Sequence, residues 1–442
     1  MAAPDGETPD RRGGGHDMTE AERRRCVVVG GGPAGMALGL LLARAGIGVT
    51  VLEKHPDFLR DFRGDTIHPS TLTLLDELGL GEWFAAVPHT RVGRVTLPLG
   101  DGRTMTVADV SRLRVPHPYV AMAPQWDFLD LLADAGAREP SFDLRMRHEV
   151  TGLLREDGRV SGVAYRRADG TAGRLRAGLV VAADGRGSVT RRHAGLRPRE
   201  FQVPVDAWWF RLPRHEEEAE NQLVPRMGGR RFAVALPRAG YYQIAYLAPK
   251  GEDVRRLGID GFRREVAAVC PKFADRMTEL ASLDDVRFLD IRLDRLRQWH
   301  TRGLLCIGDA AHAMSPVGGV GVNLAVQDAV AAAGLLAGPL TRTAAGEVRG
   351  RELAKVRARR LLPTVATQSL QQALHRGLIR PVMEGRREGP PAAVAGLLDR
   401  FPALAAAPAY VVGVGVRPEH APAFARRPPL PPRTPRSEGA GH

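Results

Sequence analysis

Three groups of residues have types and spacings that could do chemistry. Gly30, Gly32 and Gly35 stand at G-x-G-x-x-G spacing around Pro33 and Ala34, and Glu53 follows 18 residues after Gly35. The first glycine permits a sharp turn, the second lets main-chain N–H groups approach a pyrophosphate, and the third lets a helix pack closely on a strand. The Glu53 carboxylate can accept hydrogen bonds from both hydroxyls of an adenosine ribose and would repel a 2′-phosphate, so this group predicts FAD or NAD and not NADP. The second group is Asp184-Gly185-Arg186-Gly187-Ser188. An acid at the end of an apolar run is a ligand position in an open α/β sheet, or a helix N-cap. In the third, Asp309 can bond a sugar-like hydroxyl, and Pro316 with Gly318, Gly319 and Gly321 leaves N–H groups facing a planar, electron-rich ligand. A helix from about Asn323 adds its positive end, suited to charge on a reduced ring.

Each group needs elements to hold it. Cys26 to Val29 reads as a buried strand, a helix runs from about Ala34 to near Gly46, and Val49 to Leu52 makes a second strand. Leu179 to Ala183 and Leu304 to Gly308 read as buried strands that deliver Asp184 and Asp309 to their carboxyl ends.

At 442 residues the chain exceeds the length at which one core stops growing, about 250–300 residues, so two or more packed units are expected. Cys26, Cys270 and Cys306 are too few and too scattered for a disulfide framework or a zinc cluster, so no metal is expected and a reducing cytoplasm is. Residues 26–43 follow Arg23, Arg24 and Arg25 and imitate a signal peptide or membrane span, but their glycines and proline resolve into strand, turn and helix. No other stretch reads as long enough to span a bilayer. The formal net charge is +13, yet acids are interspersed throughout, and of 63 basic residues only Lys54, Lys250, Lys272 and Lys355 are lysines. No basic stripe with interleaved aromatics stands out, so no nucleic-acid partner is expected.

After Glu53, Pro69 and Ser70 open a helix, residues 91–107 read as a hairpin around Gly100-Asp101-Gly102, and Gln125 heads another helix. Residues 148–181 give short strands with turns at Asp157-Gly158 and Asp169-Gly170. The texture changes near Phe201: Trp208-Trp209-Phe210, RRFAVALP and YYQIAYLAP read as an antiparallel sheet built as a second unit. Alternation sends Tyr242, Ile244 and Tyr246 to one face. Residues 260–280 read as helical, and 347–383 as helical with a kink near Pro363.

GGGPAG with Glu53, DGRGSVTR and GDAAHAMSPVGGVGVN resemble, in order and separation, the three fingerprints of the FAD-dependent aromatic hydroxylases, the para-hydroxybenzoate hydroxylase-like family. The resemblance covers roughly residues 25–345. It implies an α/β fold: a Rossmann-like FAD-binding domain with a mostly parallel sheet (25–93, 119–200 and 286–345), interleaved with a smaller antiparallel-sheet substrate domain (94–118 and 201–285). C-terminal helices (346–426) follow, between a disordered tail at 1–24 and a Pro-rich one at 427–442. By position, Gly30, Gly32, Pro33, Ala34, Gly35, Glu53 and Lys54 would hold the ADP part of FAD, Arg63 would approach the diphosphate, and Gln125 would contact FAD. Asp309 would bind ribitol, while Pro316, Gly318, Gly319, Gly321, Val322 and Asn323 would line the flavin. Asp184 would orient the Arg63 region or incoming NAD(P)H. Ser188 and Arg191 complete the second fingerprint, and His312 is read as structural.

The resemblance further implies that NADH or NADPH reduces FAD transiently, O2 adds at the flavin C4a, and the hydroperoxide transfers one oxygen to a small aromatic or polycyclic substrate. Trp209, Tyr242, Tyr246 and Pro316 are the candidate substrate pocket, and His68 a candidate near the flavin. Gly413 and Gly415 lack a third glycine, so no resident nicotinamide domain is expected; the protein would be a monomer or homodimer without stable membrane insertion. A dehydrogenase, reductase or halogenase on this scaffold is the alternative, and a non-catalytic FAD protein a further one. A halogenase would carry Trp-x-Trp-x-Ile-Pro, which Trp208-Trp209-Phe210-Arg211-Leu212-Pro213 does not match.

Overall fold

The computed structural model of the chain describes residues 24–59, 66–99, 103–218, 223–238, 240–387 and 389–430. A continuous apolar run suits a strand covered on both faces, and Cys26 to Val29 form the body of β1 (Arg24–Val29). Pro33, with φ preset for a first helical turn, opens α1 (Pro33–Arg44), and β2 (Val49–Leu52) returns parallel to β1. α2 (Pro69–Glu77) and α3 (Gln125–Gly136) follow, then β3 (Phe142–Arg145), parallel to β2.

The strands β4 (His148–Glu156), β5 (Arg159–Arg167) and β6 (Ala172–Ala182) form an antiparallel meander, longer than the short strands expected here. Asp157 and Gly158 make the first turn with φ of 48° and 72°, the positive pair that a two-residue hairpin turn needs. Past the meander, β6 runs on beside β1 as its parallel neighbour.

The second sheet is antiparallel. Its strands are β7 (Val205–Pro213), β8 (Val224–Gly228), β9 (Arg231–Pro237), β10 (Tyr241–Pro249) and β11 (Arg287–Leu289), in the spatial order β8-β9-β10-β7-β11. β11 falls just beyond the expected boundary at residue 285. One face is covered by α4 (Gly258–Val269) and a 3-10 run, Pro271–Glu279. The single helix expected over 260–280 is divided because Pro271 has no main-chain N–H to donate and disfavours a helical residue before it, Cys270 standing at φ −125° and ψ 72°.

The chain then returns to the first sheet. β12 (Leu304–Cys306) pairs parallel with β6, giving the order β12-β6-β1-β2-β3 and bringing the carboxyl ends of β12, β6 and β1 to one edge. α5 (Gly321–Thr341) is long and apolar enough to cross a membrane, which corrects the expectation that no stretch beyond 26–43 is. It is the central helix of the core: Leu324, Val326, Ala329, Val330 and Leu336 are buried. α6 (Gly350–Leu374) runs unbroken through Pro363, where a kink was expected. Thr364 Oγ1 takes the Arg360 carbonyl at 2.8 Å. The interruption comes later, as a π-turn at His375–Ile379.

Residues 427–430, expected in the loose tail, are ordered against the end of α2. Leu430 N donates to Gly79 O at 3.0 Å, and Gly79 has φ +72° with Pro428 O where a side chain would start. The expected tails 1–23 and 431–442, and the Gly100-Asp101-Gly102 turn, lie outside the described residues. All three cysteines are buried and unpaired.

The contact between α1 and the first turn tolerates no side chain: a Cβ on Gly35 would lie 1.9 Å from Gly30 O. Gly35→Ala is therefore expected to lower stability by about 1–3 kcal/mol through overpacking, read as a drop in the urea midpoint at unchanged slope.

Candidate functional site

At the end of β1, Gly30 adopts φ +103° and turns the chain. Gly31 N donates to Glu53 Oε2 at 2.8 Å and His55 N to Glu53 Oε1 at 3.0 Å, so the acid stands beside the turn at the tip of β2. Gly32 is the N-cap of α1, no side chain caps that end, and its first turn holds no acid. The space where a Gly32 side chain would be is open. An uncapped helix N-terminus with open backbone is the geometry that accepts a diphosphate. Ala34 and Gly35 sit buried in the first turn, Lys54 is exposed, and Gln125 is half-buried at the head of α3. Arg63 lies outside the described residues.

The second motif folds on itself. Asp184 Oδ1 accepts from Ser188 Oγ at 2.5 Å and Thr190 Oγ1 at 2.8 Å, and Oδ2 accepts from Thr190 N at 3.1 Å. Ser188 Oγ in turn caps the short helix Val189–His193 by accepting from Arg191 N at 2.9 Å. Arg191 carries the connection onward, donating to Ala310 O at 3.2 Å and to Arg186 O at 2.7 Å. Arg186 lies 3.8 Å from the Asp309 carboxylate, whose side chain is 38 % exposed at the carboxyl end of β12.

The third motif is braced from beneath. Asp328 Oδ2 accepts from Gly308 N at 3.0 Å and from His312 Nε2 at 2.6 Å; Oδ1 accepts from Arg360 Nε at 3.0 Å. All three side chains are at most 1 % exposed. Burial pushes the Asp328 carboxyl up, but His312 and Arg360 more than offset it and hold the group below the usual carboxylate range. Arg360 also reaches Glu419 at 3.3 Å, pinning the C-terminal segment. His312 thus has the structural place expected of it.

The loop itself makes a tight turn, Gly319 N donating to Pro316 O at 2.9 Å, with Gly318 and Gly319 at φ +83° and +64°. Thr66 Oγ1 and His68 Nε2 both donate to Gly319 O, at 2.7 and 3.0 Å. His68 is 1 % exposed and its pKa is pushed down to about 4 by burial, so it is a neutral donor that positions the loop. Gly321 and Val322 begin α5, and Asn323 Oδ1 accepts from Ser70 Oγ at 2.8 Å and Thr71 Oγ1 at 2.7 Å. On the other side, Gln371 bonds Ser315 N and O and Val317 O, while His375 Nε2 meets Ser315 Oγ at 2.9 Å.

The expected substrate residues divide. Trp209 packs with Val203, Val234 and Val317, on the sheet face turned to the loop. Tyr242 and Tyr246 lie on the opposite face, beneath α4 and the 3-10 run, Tyr242 tilted against Phe273 and Tyr246 edge-to-face with Phe262, ring centroids 5.1 and 5.3 Å apart. Tyr246 donates to Glu265 at 2.7 Å. The grouping of Trp209 with these tyrosines is corrected by register: Trp208, not Trp209, opposes Tyr246 and shares its face. Sequence reading also missed Asp328, Arg360, Gln371 and His375. Asp328 had a signal, as the one charged residue of the long apolar α5.

Two outcomes follow from these burials. Arg360→Met strips a partner from two buried carboxylates and should cost about 3–5 kcal/mol of stability by urea unfolding. His68 and His375 have folded pKa values of about 4 against about 6.5 unfolded. Between those values only the unfolded chain binds the protons, so stability is lost as pH falls from about 6.5 toward about 4, at about 1.4 kcal/mol per unit for each histidine. The measured slope should flatten in His68→Gln; an unchanged slope would assign the acid sensitivity elsewhere.

Residues 23–351 match the family model described as an FAD binding domain. The chain is 34 % identical over 383 residues to 6-methylpretetramide 4-monooxygenase of Streptomyces rimosus, covering 85 % of this chain and 89 % of that one. It is 31 % identical over 336 residues to the 12-dehydrotetracycline 5-monooxygenase/anhydrotetracycline 6-monooxygenase of Streptomyces rimosus subsp. rimosus, covering 69 % of this chain but only 60 % of that longer protein. The solved structure of OxyS anhydrotetracycline hydroxylase from Streptomyces rimosus shares the fold, with a TM-score of 0.69 at 24 % identity over 88 % of this chain and 76 % of that one. With its three motifs gathered at one sheet edge and the family model spanning most of its length, the chain belongs to the FAD-dependent aromatic hydroxylases and is an FAD-dependent monooxygenase.

Proposed function

We propose that this protein hydroxylates a polycyclic aromatic of the polyketide kind, using NADH or NADPH as a transient reductant and O2 as oxidant. The observation that carries the substrate class is the 34 % identity, nearly end to end, with an enzyme named for 6-methylpretetramide. The tetracycline-named relatives agree with it. The reading places the enzyme in the cytoplasm.

The residues fit the cofactor. The uncapped N-terminus of α1 and the open space at Gly32 would take the diphosphate, and Lys54 and Arg63, the latter outside the described residues, are the cations proposed for it from the family resemblance. Glu53, at the end of β2, would take the adenosine ribose, and Gln125 would add a contact from α3. The half-exposed Asp309 would take the ribitol. Pro316, Gly318, Gly319, Gly321, Val322 and Asn323 would follow the ring, whose negative charge on reduction is met by the positive end of α5. Asp184 acts through the turn it closes, keeping Arg186 and Arg191 against the Asp309 strand.

Bound FAD supplies the oxygen-activating chemistry. The chain's own work is orientation and exclusion of water. Thr66 and His68 fix the Gly319 carbonyl, Gln371 and His375 fix Ser315, and Trp209 with Val234 and Val317 presents an apolar wall. On this reading these side chains act by placement.

Turnover under heavy-isotope oxygen should incorporate one labelled atom into an aromatic polyketide product, whereas a reductase or dehydrogenase would incorporate none. Asp309→Ala should lower FAD retention about tenfold or more, the loss of a charge-assisted hydrogen bond, measured as flavin released on dilution. Unchanged retention would remove Asp309 from the cofactor site.

A further inference from the structure

Late in the chain two short helices, α7 (Ala392–Arg400) and α8 (Ala406–Gly413), are joined by the 3-10 turn Pro402–Ala405. Their inner side is firmly seated. Ala395 is buried in a cluster with Leu97 and Met105, and Leu398 packs on it. Ala405 and Ala409 are buried, and Val412 packs on Met314, Val320 and Leu324 in the third motif.

Their outer side is apolar as well. Of the ten large apolar side chains exposed among the described residues, six fall within 394–416: Val394, Leu397, Phe401, Leu404, Tyr410 and Val416, each 41–50 % exposed. Val394 and Leu397 are three apart and so share one side of α7, and Phe401 and Leu404 carry the apolar surface on through the turn. Single exposed apolar side chains need no explanation, but such a concentration marks a surface that something covers. Residues 389–416 hold only two charges, Asp399 and Arg400.

Size and charge decide what this face fits. Six such chains at a little under half exposure present on the order of 500 Å² of apolar surface. A homodimer interface of ordinary size buries about 800 Å² per partner, about two-thirds of it apolar, which is the same apolar area. A chain of formal net charge +13 repels its own copies, whereas residues 389–416 are net neutral, so approach of two copies is little opposed there. Asp399 and Arg400 are adjacent, and a twofold axis can set the acid of one copy against the base of the other. A bilayer fits less well, because interfacial helices flank their apolar face with several Lys and Arg. This segment has no Lys and a single Arg, which lies over the Phe401 ring at 5.7 Å. We propose that α7, the turn and α8 form a self-complementary face on which a second copy of this chain docks, giving a twofold dimer. Dimerisation of this kind is independent of the substrate class proposed above.

Sedimentation velocity of the FAD-loaded enzyme should show a particle of twice the chain mass at micromolar concentration. Leu397→Glu and Phe401→Glu each place a charge in the apolar contact and should raise the dimer dissociation constant about tenfold or more. The double variant should sediment as a monomer. Both side chains are half exposed in the single chain, so FAD content and the urea midpoint should stay at native values. Leu257→Glu, 41 % exposed at the head of α4, should leave the dimer intact. All three native cysteines are buried, so Phe401→Cys adds one reactive thiol, through which a short bis-maleimide should join two copies. Should the double variant lose FAD, that cross-link decides alone. Native enzyme at the mass of one chain, a dimer that survives the double substitution, or a dimeric Phe401→Cys variant that does not cross-link overturns the proposal. So does native enzyme that is monomeric yet floats with phosphatidylserine vesicles and loses that binding in the double variant, which would assign the face to a lipid surface.

Discussion

A single carboxylate, buried in the middle of an apolar helix, fixes how the glycine loop of the third motif sits on the fold. Asp328 cannot remain charged at zero exposure without partners, and it draws them from three places: the Gly308 amide at the end of β12, the His312 ring in the loop, and the Arg360 guanidinium on α6. Because Arg360 also holds Glu419, a segment almost a hundred residues past the loop is tied to the same point. The electrostatics therefore do what apolar packing cannot, which is to specify one register among strand, loop and two helices.

The rest of the site is an exercise in main-chain control. Gly319 O is held by two side chains arriving from the start of α2, and Ser315 and Val317 by Gln371 from α6. The loop is thus clamped from both sides, leaving its glycines to present backbone toward whatever lies in front. Preorganisation of this kind favours a reaction whose reactive atoms belong to the ligand rather than to a side chain.

Much of this was legible in the residues. The strand, turn, helix and acid of 26–53 follow from glycine stereochemistry and apolar periodicity, and Asp184 and Asp309 were placed at strand ends because buried apolar runs stop there. Less visible was anything that depends on which face a strand turns inward. Alternation put Tyr242 and Tyr246 together, but only the position of α4 decides that their face is sealed, and Trp209 rather than Trp208 looks at the loop. Long-range polar pairs were hidden too: Arg360 is one arginine among dozens in a basic chain, and nothing local marks it as buried. The division of residues 260–280 could have been read from Pro271; the continuity of α6 through Pro363 could not, since a proline inside a helical pattern reads as a break and only the tertiary setting keeps the helix running.

The three cysteines have a consequence for an oxygen-handling protein. Cys26 and Cys306 lie in β1 and β12 and Cys270 caps the end of α4, and burial pushes the Cys26 thiol up to about 12 and that of Cys270 to about 11. Sulfur oxidation proceeds through the thiolate. The three thiols, buried and with their ionisation suppressed, are thereby withdrawn from oxidants in the surrounding water.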